Sequence, residues 1–203
     1  MLPHLGQAYL DAIVGDLDSV TDHTRELFGT MSSPPLVIHE PDQNSTDFGK
    51  AIKYIRSLQS AKSETIVVLG SMGGRVDQSL SLLHHLYMMH EQNSRLVLLG
   101  GSNVSVLLTP GKHVLRVRRC STESIVPKES SWHNQRIDVG ILPLQGRAII
   151  TTHGFQWDVR KWETEMGGQL STSNLIKPMV DVVTVETSTA IIFTTSVSVN
   201  VEY

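Results

Sequence analysis

Cysteine is almost absent from the sequence, since Cys120 is the one cysteine among 203 residues. A single cysteine excludes an internal disulfide framework and a cysteine-rich zinc site. Long apolar runs are absent as well: none approaches the roughly 20 residues needed to cross a bilayer, and residues 1–6 lack the basic and apolar regions of a signal peptide. We therefore expect a soluble, cytoplasmic protein with no membrane partner.

Neither sign of charge dominates the composition. Lysine and arginine number 17, aspartate and glutamate number 20, and the formal net charge is −3. This balance argues against general binding to nucleic acid. A small basic cluster of Arg116, Arg118 and Arg119 lies beside Lys112, and its spacing is typical of one solvated face of a strand. With 40% hydrophobic residues, the chain can bury the core of one large domain or two small ones.

From residue 12 to about residue 108, short apolar runs alternate with longer amphipathic segments. The apolar runs predict strands, and the amphipathic segments predict helices of several turns. The predicted strands are residues 12–14, 36–38, 66–69 and 96–99, and the predicted helices are residues 46–59 and 75–91. Alternation of this kind indicates a parallel sheet covered by helices.

After Pro110 and Gly111 the pattern changes to short β-branched runs separated by glycine, proline, asparagine and serine. These runs predict the strands of an antiparallel sandwich or barrel. They comprise residues 114–117, 137–142, 147–152, 180–185 and 191–197, and a long exposed loop is predicted at 120–134. The sequence therefore predicts an α/β domain at residues 1–110, followed by an all-β sandwich domain at residues 111–203.

Two carboxylates follow the first predicted strand. Asp16 and Asp18 are two residues apart, and an extended backbone would place them on one face. Close acids repel unless a cation or a strong donor lies between them, so the pair indicates a site for a hard metal ion. A simple turn is the alternative, because glycine, aspartate and serine favour turns.

Two more polar stretches occur where strands of a parallel sheet should end, which is where ligands gather in such sheets. Residues 42–47 open a helix, with Ser45 or Thr46 as a plausible N-cap. Residues 70–78 contain glycines that let backbone N–H groups approach a phosphate, and Arg75 can bind phosphate oxygens with two hydrogen bonds. A glycine-rich turn without a ligand is the alternative there, and residues 100–103 are expected to form a simple turn.

Carboxylates that face a phosphate-binding loop would repel the phosphate without a bridging divalent cation. The combined stretches therefore predict Mg²⁺ together with a nucleotide or polyphosphate.

These residues resemble the thiamin pyrophosphokinase family, most closely its fungal members. The resemblance covers nearly the whole chain, in the order found in the family. The matching segments are residues 11–19, 43–48 with Lys50, 73–78, 140–144, 154–158 and 171–174.

The resemblance implies a homodimer in which each subunit has an α/β nucleotide-binding domain and a β-sandwich domain. It implies transfer of the terminal pyrophosphoryl group of ATP to the hydroxyl of thiamin, giving thiamin diphosphate and AMP. Thiamin would bind in a cleft between the α/β domain of one subunit and the β domain of the other.

The resemblance also implies roles for individual residues. Asp16, Asp18 and Asp47 would hold Mg²⁺, and Asp47 would orient or deprotonate the attacking hydroxyl. The implied ATP-binding residues are Gly73, Gly74, Arg75, Asp77 and Gln78. The implied thiamin-binding residues are Gln43, Trp157, Ser171, Ser173 and Asn174. For Trp157, a place in the core of the sandwich is an equal alternative.

The chain departs from the family pattern in two ways. Family members carry an Asp-Gly-Gly-Ala-Asn motif upstream of the Gly-Asp-Leu-Asp-Ser motif, and residues 1–10 do not contain it. Phe193 replaces a tryptophan that is common in relatives. The first departure leaves an alternative function open, that of a non-catalytic family member that binds thiamin or serves as a dimerisation partner.

Overall fold

A computed structural model describes residues 10–58, 65–70, 72–91, 94–117 and 136–197. Cys120, Arg118, Arg119 and the loop predicted at 120–134 lie outside the described residues. The chain divides into two compact units, Met1–Glu64 and Thr65–Tyr203. Among the described residues, no helix has both the length and the apolar character needed to span a membrane.

The first unit contains two parallel strands, each followed by a helix. Its elements are β1 (Ala12–Gly15), α1 (Asp22–Gly29), β2 (Leu36–His39) and α2 (Asp47–Ser57). β1 and β2 pair in parallel, with Ala12 opposite Leu36. Each of these helices begins after a threonine whose hydroxyl accepts a backbone N–H, Thr21 for α1 and Thr46 for α2. This bond satisfies one of the first N–H groups of the helix, which have no acceptor within the helix itself. The predicted β1, β2 and α2 are confirmed, as is Thr46 as N-cap.

The second unit contains one helix and ten strands among its described residues. They are β3 (Thr65–Leu69), α3 (Val76–Glu91), β4 (Arg95–Gly100), β5 (Asn103–Leu108), β6 (Gly111–Arg116), β7 (Asp138–Leu142), β8 (Ala148–His153), β9 (Trp162–Thr164), β10 (Ser171–Leu175), β11 (Val182–Thr187) and β12 (Ile191–Ser196). Six strands form one sheet in the order β10-β7-β12-β5-β4-β3, and four form another in the order β6-β11-β8-β9.

A tight hairpin joins the parallel strands of the larger sheet to its antiparallel strands. β3 and β4 pair in parallel, whereas β4 and β5 pair antiparallel with Gly100 opposite Asn103. Gly101, the first of the two loop residues, has φ +57°, which glycine adopts at little cost in a type II′ turn. The predicted turn at residues 100–103 is confirmed. Strands before and after residue 110 thus pair within one sheet, and the domain boundary at 110 stays a prediction.

The core of the second unit lies between its two sheets. Both sheets contribute alternate residues to it, as expected for two packed β-sheets. The larger sheet supplies Leu108, Val139, Ile141, Ile191 and Phe193, and the smaller sheet supplies Ala148, Ile150, Val183 and Val185. Phe193 is 3% exposed and packs edge to face on Phe155, with 6.4 Å between ring centroids. The predicted sandwich is therefore confirmed, and an aromatic side chain at position 193 fills it.

Adjacent isoleucines on β8 test this packing. Ile150 is 1% exposed, whereas Ile149 is 42% exposed. We expect Ile150→Ala to lower the free energy of unfolding by about 2–5 kcal/mol, because it removes apolar contacts and leaves a cavity. Ile149→Ala should change it by roughly 0.5 kcal/mol or less. Urea unfolding of both variants measures the difference, and equal losses would show that the core is not between these sheets.

Candidate active site

The end of β1 meets the start of α2 through two aspartates. The Asp16 backbone N–H donates to Asp47 Oδ1 at 3.0 Å. Gly15 makes this approach possible, since a Cβ there would lie 2.9 Å from the Asp47 Cγ. Asp16 and Asp47, predicted to act together, are therefore brought together by the fold.

Asp16 and Asp18 adopt a turn rather than an extended arrangement. β1 ends at Gly15, and Leu17 has φ +64°, so the backbone between the two acids is not extended. The Asp18 N–H then donates to Asp16 Oδ1 at 3.1 Å. The expectation of an extended backbone with both carboxylates on one face is wrong, and the alternative of a turn is confirmed, because the left-handed conformation at Leu17 ends the extended backbone.

A buried lysine lies behind the two carboxylates. Lys50 Nζ lies 3.1 Å from Asp47 Oδ1 and 3.8 Å from Asp16 Oδ2. The Lys50 side chain is 2% exposed, compared with 27% for Asp16 and 49% for Asp47. Sequence reasoning did not assign a role to Lys50, although a lysine one helical turn after Asp47 is placed to pair with it.

Hydrogen bonds and charges within this cluster shift the pKa values of Asp47 and Lys50. The Asp16 N–H, followed by the Lys50 ammonium, holds the pKa of the Asp47 carboxyl below its usual value. Burial acts to lower the pKa of Lys50, but its hydrogen bond to Asp47 and the charges of Asp47, Asp16 and Asp42 raise it overall. At neutral pH, Asp47 is a carboxylate and Lys50 is an ammonium.

The described residues contain no group of three or more histidine, cysteine, aspartate or glutamate side chains arranged to hold a metal ion. Mg²⁺, however, is commonly held by one or two carboxylates together with substrate phosphates. Asp16 and Asp47 are exposed enough to supply that number, so the donor chemistry fits. The metal-binding role of Asp16, Asp18 and Asp47 stays a prediction.

The loop before α2 is a hydrogen-bonded turn around Asp42. The Asp42 carboxylate accepts the Asn44 N–H at 2.9 Å and the Ser45 hydroxyl at 2.8 Å. These bonds, the first of them most strongly, hold the pKa of Asp42 below its usual value. Gln43 is exposed within this turn, and its predicted contact with thiamin stays a prediction.

The glycine-arginine segment of the second unit precedes α3. Gly73 has φ +153° and Gly74 has φ +74°, conformations that a side chain would disfavour. Arg75 donates to Asp77 through two nitrogens, Nε to Oδ1 at 3.1 Å and Nη2 to Oδ2 at 2.6 Å. This pair holds the pKa of Asp77 below its usual value. Gln78 is exposed on the first turn of α3, and ATP binding by these residues stays a prediction.

Trp157 is 59% exposed, so the alternative of a core tryptophan is wrong. It lies in a turn between β8 and β9 that Asn174 holds through its side-chain amide. Asn174 Oδ1 accepts the Trp157 N–H at 3.2 Å, and Asn174 Nδ2 donates to the Trp157 carbonyl at 3.0 Å. Asn174, predicted to contact thiamin, is itself 6% exposed.

Asp158 holds the same turn and was not predicted as a site residue. Its carboxylate accepts the Phe155 N–H at 3.0 Å, the Gly154 N–H at 3.3 Å and the Lys177 ammonium at 2.8 Å. Burial acts to raise the pKa of Asp158, but Lys177 and the two N–H groups lower it overall. The available signal was its position at the end of the matching segment 154–158.

The two predicted serines lie in β10, which contains an irregularity between Ser171 and Asn174. Ser173 has φ +60°, as is typical of a bulge that redirects a side chain. Ser173 lines a cavity of about 280 Å³ together with Asp138 and Thr194. Ser171, Asn174 and Trp157 are not part of the lining of that cavity.

A glycine substitution tests the contact between β1 and α2. In Gly15→Ala the new Cβ would meet the Asp47 carboxylate at 2.9 Å, so we expect the carboxylate to leave the Asp16 N–H. The pKa of Asp47 should then rise toward its ordinary value, as measured by NMR titration of side-chain carboxyl carbons. The stabilisation that this carboxylate provides is present above its ordinary pKa of about 4 and is lost as the pH falls through the lowered value.

Gly29 provides the matched control, because a Cβ there would meet no atom within 4 Å. Gly29→Ala should leave the titration of Asp47 unchanged. An unchanged pKa of Asp47 in Gly15→Ala would contradict the arrangement described here.

The sequence matches two domain models of one family. The model described as the thiamin pyrophosphokinase catalytic domain matches residues 5–98, and the model described as the thiamin pyrophosphokinase vitamin B1 binding domain matches residues 124–192.

Curated proteins with similar sequences carry the corresponding name. The chain is 28% identical to thiamine pyrophosphokinase 3 of Oryza sativa subsp. japonica, over 92% of this chain and 66% of that protein. It is 30% identical to thiamine pyrophosphokinase 1 of Arabidopsis thaliana, over 92% of this chain and 65% of that protein. The chain thus spans just under two thirds of the length of these relatives.

Solved structures have the same fold. Thiamin pyrophosphokinase from Candida albicans superposes with a TM-score of 0.77 at 26% identity, over 95% of this chain and 75% of that chain. Yeast thiamin pyrophosphokinase gives a TM-score of 0.74 at 21% identity, over 95% of this chain and 71% of that chain. The predicted fold class, an α/β part followed by a β-sandwich, is confirmed.

Proposed function

The chain belongs to the thiamin pyrophosphokinase family, and from that premise we propose that it transfers the pyrophosphoryl group of ATP to the hydroxyl of thiamin. The products would be thiamin diphosphate and AMP. The observation that carries the proposal is the cluster of Asp16, Asp47 and Lys50 at the end of β1. It supplies fixed, solvent-facing carboxylates within the segment that matches the catalytic domain.

Asp47 would orient the attacking hydroxyl of thiamin. Its lowered pKa keeps it ionised at neutral pH, so it can always accept a hydrogen bond. The same lowered pKa makes it a weak base, which favours orientation over early removal of the proton. Phosphoryl transfer through a loose transition state depends chiefly on positioning and charge stabilisation, and it tolerates such a base.

The carboxylates of Asp16, Asp18 and Asp47 would hold Mg²⁺, which would neutralise charge on the phosphate oxygens when it is bound. Lys50 would keep Asp16 and Asp47 in place before any cation or nucleotide arrives. Its ammonium is buried, whereas the side chains of Asp16 and Asp47 are 27% and 49% exposed and can still be reached from solvent.

In the second unit, Arg75 would bind the phosphates of ATP. Its guanidinium is 75% exposed and already makes a two-bond contact with the carboxylate of Asp77. Phosphate oxygens offer the same two-bond geometry. Gly73, Gly74 and Gln78 would border the nucleotide, with backbone N–H groups near the start of α3 favouring an anion.

Trp157 would offer an exposed aromatic face to thiamin, a planar cation. Gln43, Ser171 and Ser173 would supply polar partners of its aminopyrimidine. Asn174 would contribute to thiamin binding through its bonds to the Trp157 backbone. The proposal includes a homodimer, in which the thiamin site would be completed by a second subunit, and a cytoplasmic location.

Replacing Asp47 tests the catalytic assignment. We expect Asp47→Asn to lower kcat by about 100-fold or more, because the amide keeps the shape but removes the charge that orients the hydroxyl. The assay follows AMP and thiamin diphosphate formed from ATP, thiamin and Mg²⁺. Asp22→Asn is the control, since Asp22 is an exposed acid in the first turn of α1.

If Asp47→Asn keeps full activity, the role assigned to Asp47 is wrong, but the proposed activity of the chain is not contradicted. If the wild-type chain binds thiamin in a calorimeter but forms no AMP, the proposed activity is wrong, and a thiamin-binding or dimerisation role replaces it.

Replacing Arg75 tests the nucleotide assignment. We expect Arg75→Gln to raise the KM for ATP by about tenfold, because a charge-assisted, two-bond contact with phosphate contributes roughly 1.5–3 kcal/mol. The KM for thiamin should stay close to its wild-type value. Arg147→Gln is the control, because Arg147 is also exposed and pairs with a carboxylate, that of Glu163. Equal effects of the two substitutions on the KM for ATP would exclude a specific role for Arg75.

A further inference from the structure

The turn that carries Trp157 is held by hydrogen bonds from two side chains, one within the turn and one on β10. Trp157 is 59% exposed, so burial does little to fix its position. The turn instead depends on two side chains, those of Asp158 and Asn174, which bond to its backbone.

Asp158 holds the first half of the turn. Its two carboxylate oxygens accept the N–H groups of Gly154 and Phe155, at 3.3 and 3.0 Å. The Lys177 ammonium lies 2.8 Å from Oδ2, and the Asp158 side chain is only 25% exposed. Burial disfavours the charge of this carboxylate, and the N–H groups and the Lys177 ammonium offset that effect.

Asn174 holds the second half of the turn. Its amide pairs with both the N–H and the carbonyl of Trp157. Two backbone bonds flank it, Gln156 N–H to the Leu175 carbonyl at 2.7 Å and Lys177 N–H to the Gly154 carbonyl at 3.1 Å. The backbone of Trp157 is thus fixed on both sides while its ring faces solvent.

Gly154 indicates that this conformation tolerates little change. It has φ +98°, and a Cβ there would lie 3.0 Å from the Val183 Cγ1 and 3.2 Å from the Val180 Cγ1. The turn is therefore seated directly on β11 and the residues before it.

We propose that Asp158, with Lys177 as its counter-ion, is a positioning residue that presents Trp157 as a fixed aromatic face for a planar cation. This inference rests on the proposed function, in which that cation is thiamin. A face fixed in advance lowers the entropy cost of ordering a side chain on binding. Asn174 also holds Trp157 in position, through its bonds to the Trp157 backbone.

The order of Trp157 can be measured without any ligand. Protein labelled with 5-fluorotryptophan contains three tryptophans, and ¹⁹F NMR with a Trp157→Phe variant assigns the resonance of Trp157. We expect Asp158→Asn to broaden or shift that resonance and to leave the other two in place, because an amide has one acceptor where the carboxylate has two. Lys177→Met should have the same effect in a smaller degree.

Glu163→Gln is the matched control. Glu163 pairs with Arg147 in the same unit, and both side chains are more than half exposed. This variant also loses one ion pair, and we expect it to leave the Trp157 resonance unchanged. A Trp157 resonance unaffected by Asp158→Asn would overturn the proposal, and so would equal shifts of all three resonances with a lowered Tm.

Thiamin binding provides the second measurement. We expect Asp158→Asn to weaken thiamin binding by about fivefold in calorimetry, in line with the loss of part of a cation–π contact, and to raise the KM for thiamin while kcat changes little. Unchanged affinity alongside an altered Trp157 resonance would overturn the link to the ligand. If the wild-type protein binds no thiamin, the proposed function fails, and the NMR result alone then decides whether Asp158 fixes Trp157.

Discussion

A buried ammonium allows two acidic side chains to meet at the end of β1. The carboxylates of Asp16 and Asp47 would repel each other if no positive charge lay close to both. Lys50 supplies that positive charge from inside the unit, with its side chain 2% exposed. The dependence is mutual, because burial acts to lower the pKa of Lys50 and the neighbouring carboxylates more than offset that effect. Gly15 completes the arrangement by leaving room for the Asp47 carboxylate. The candidate catalytic residues are thus held by the two ion pairs of Lys50, by the bond from the Asp16 N–H to Asp47, and by the absence of a side chain at Gly15.

Hydrophobic periodicity was enough to predict most of the fold. β1 to β4, α2 and α3 each have a clear apolar run or an amphipathic face, and the structure contains all of them. The missed elements lack that signal. α1 spans only eight, mostly polar residues, β9 has three residues, and β10 is polar and irregular. In β5 the buried Ser105 bonds to the Thr194 hydroxyl, a partner 89 positions away that a local pattern cannot reveal.

The site residues that belong to motifs could be predicted from the sequence. Those whose roles depend on contacts in the folded chain could not. Asp16 and Asp47 were selected by their places after strands, and the fold joins them across 31 positions. Lys50 and Asp158 were not assigned roles, because a lysine or an acid beside a motif is ordinary until its partner is known. A turn after β1 was one of the two alternatives, but its left-handed residue, Leu17, could not be predicted, since leucine seldom adopts that conformation. Only the folded structure distinguishes Lys50 and Asp158 from solvated surface charges.

Asp47 and Asp158 share one local arrangement and differ in what it leaves accessible. Each carboxylate accepts at least one backbone N–H and one lysine ammonium, and each has a lowered pKa for that reason. A carboxylate held in this way is a poor base and a well-defined acceptor. Asp158 directs both oxygens at its own turn, so it acts on structure. Asp47 receives its bonds through Oδ1 and is 49% exposed, so the same chemistry leaves it able to orient a hydroxyl.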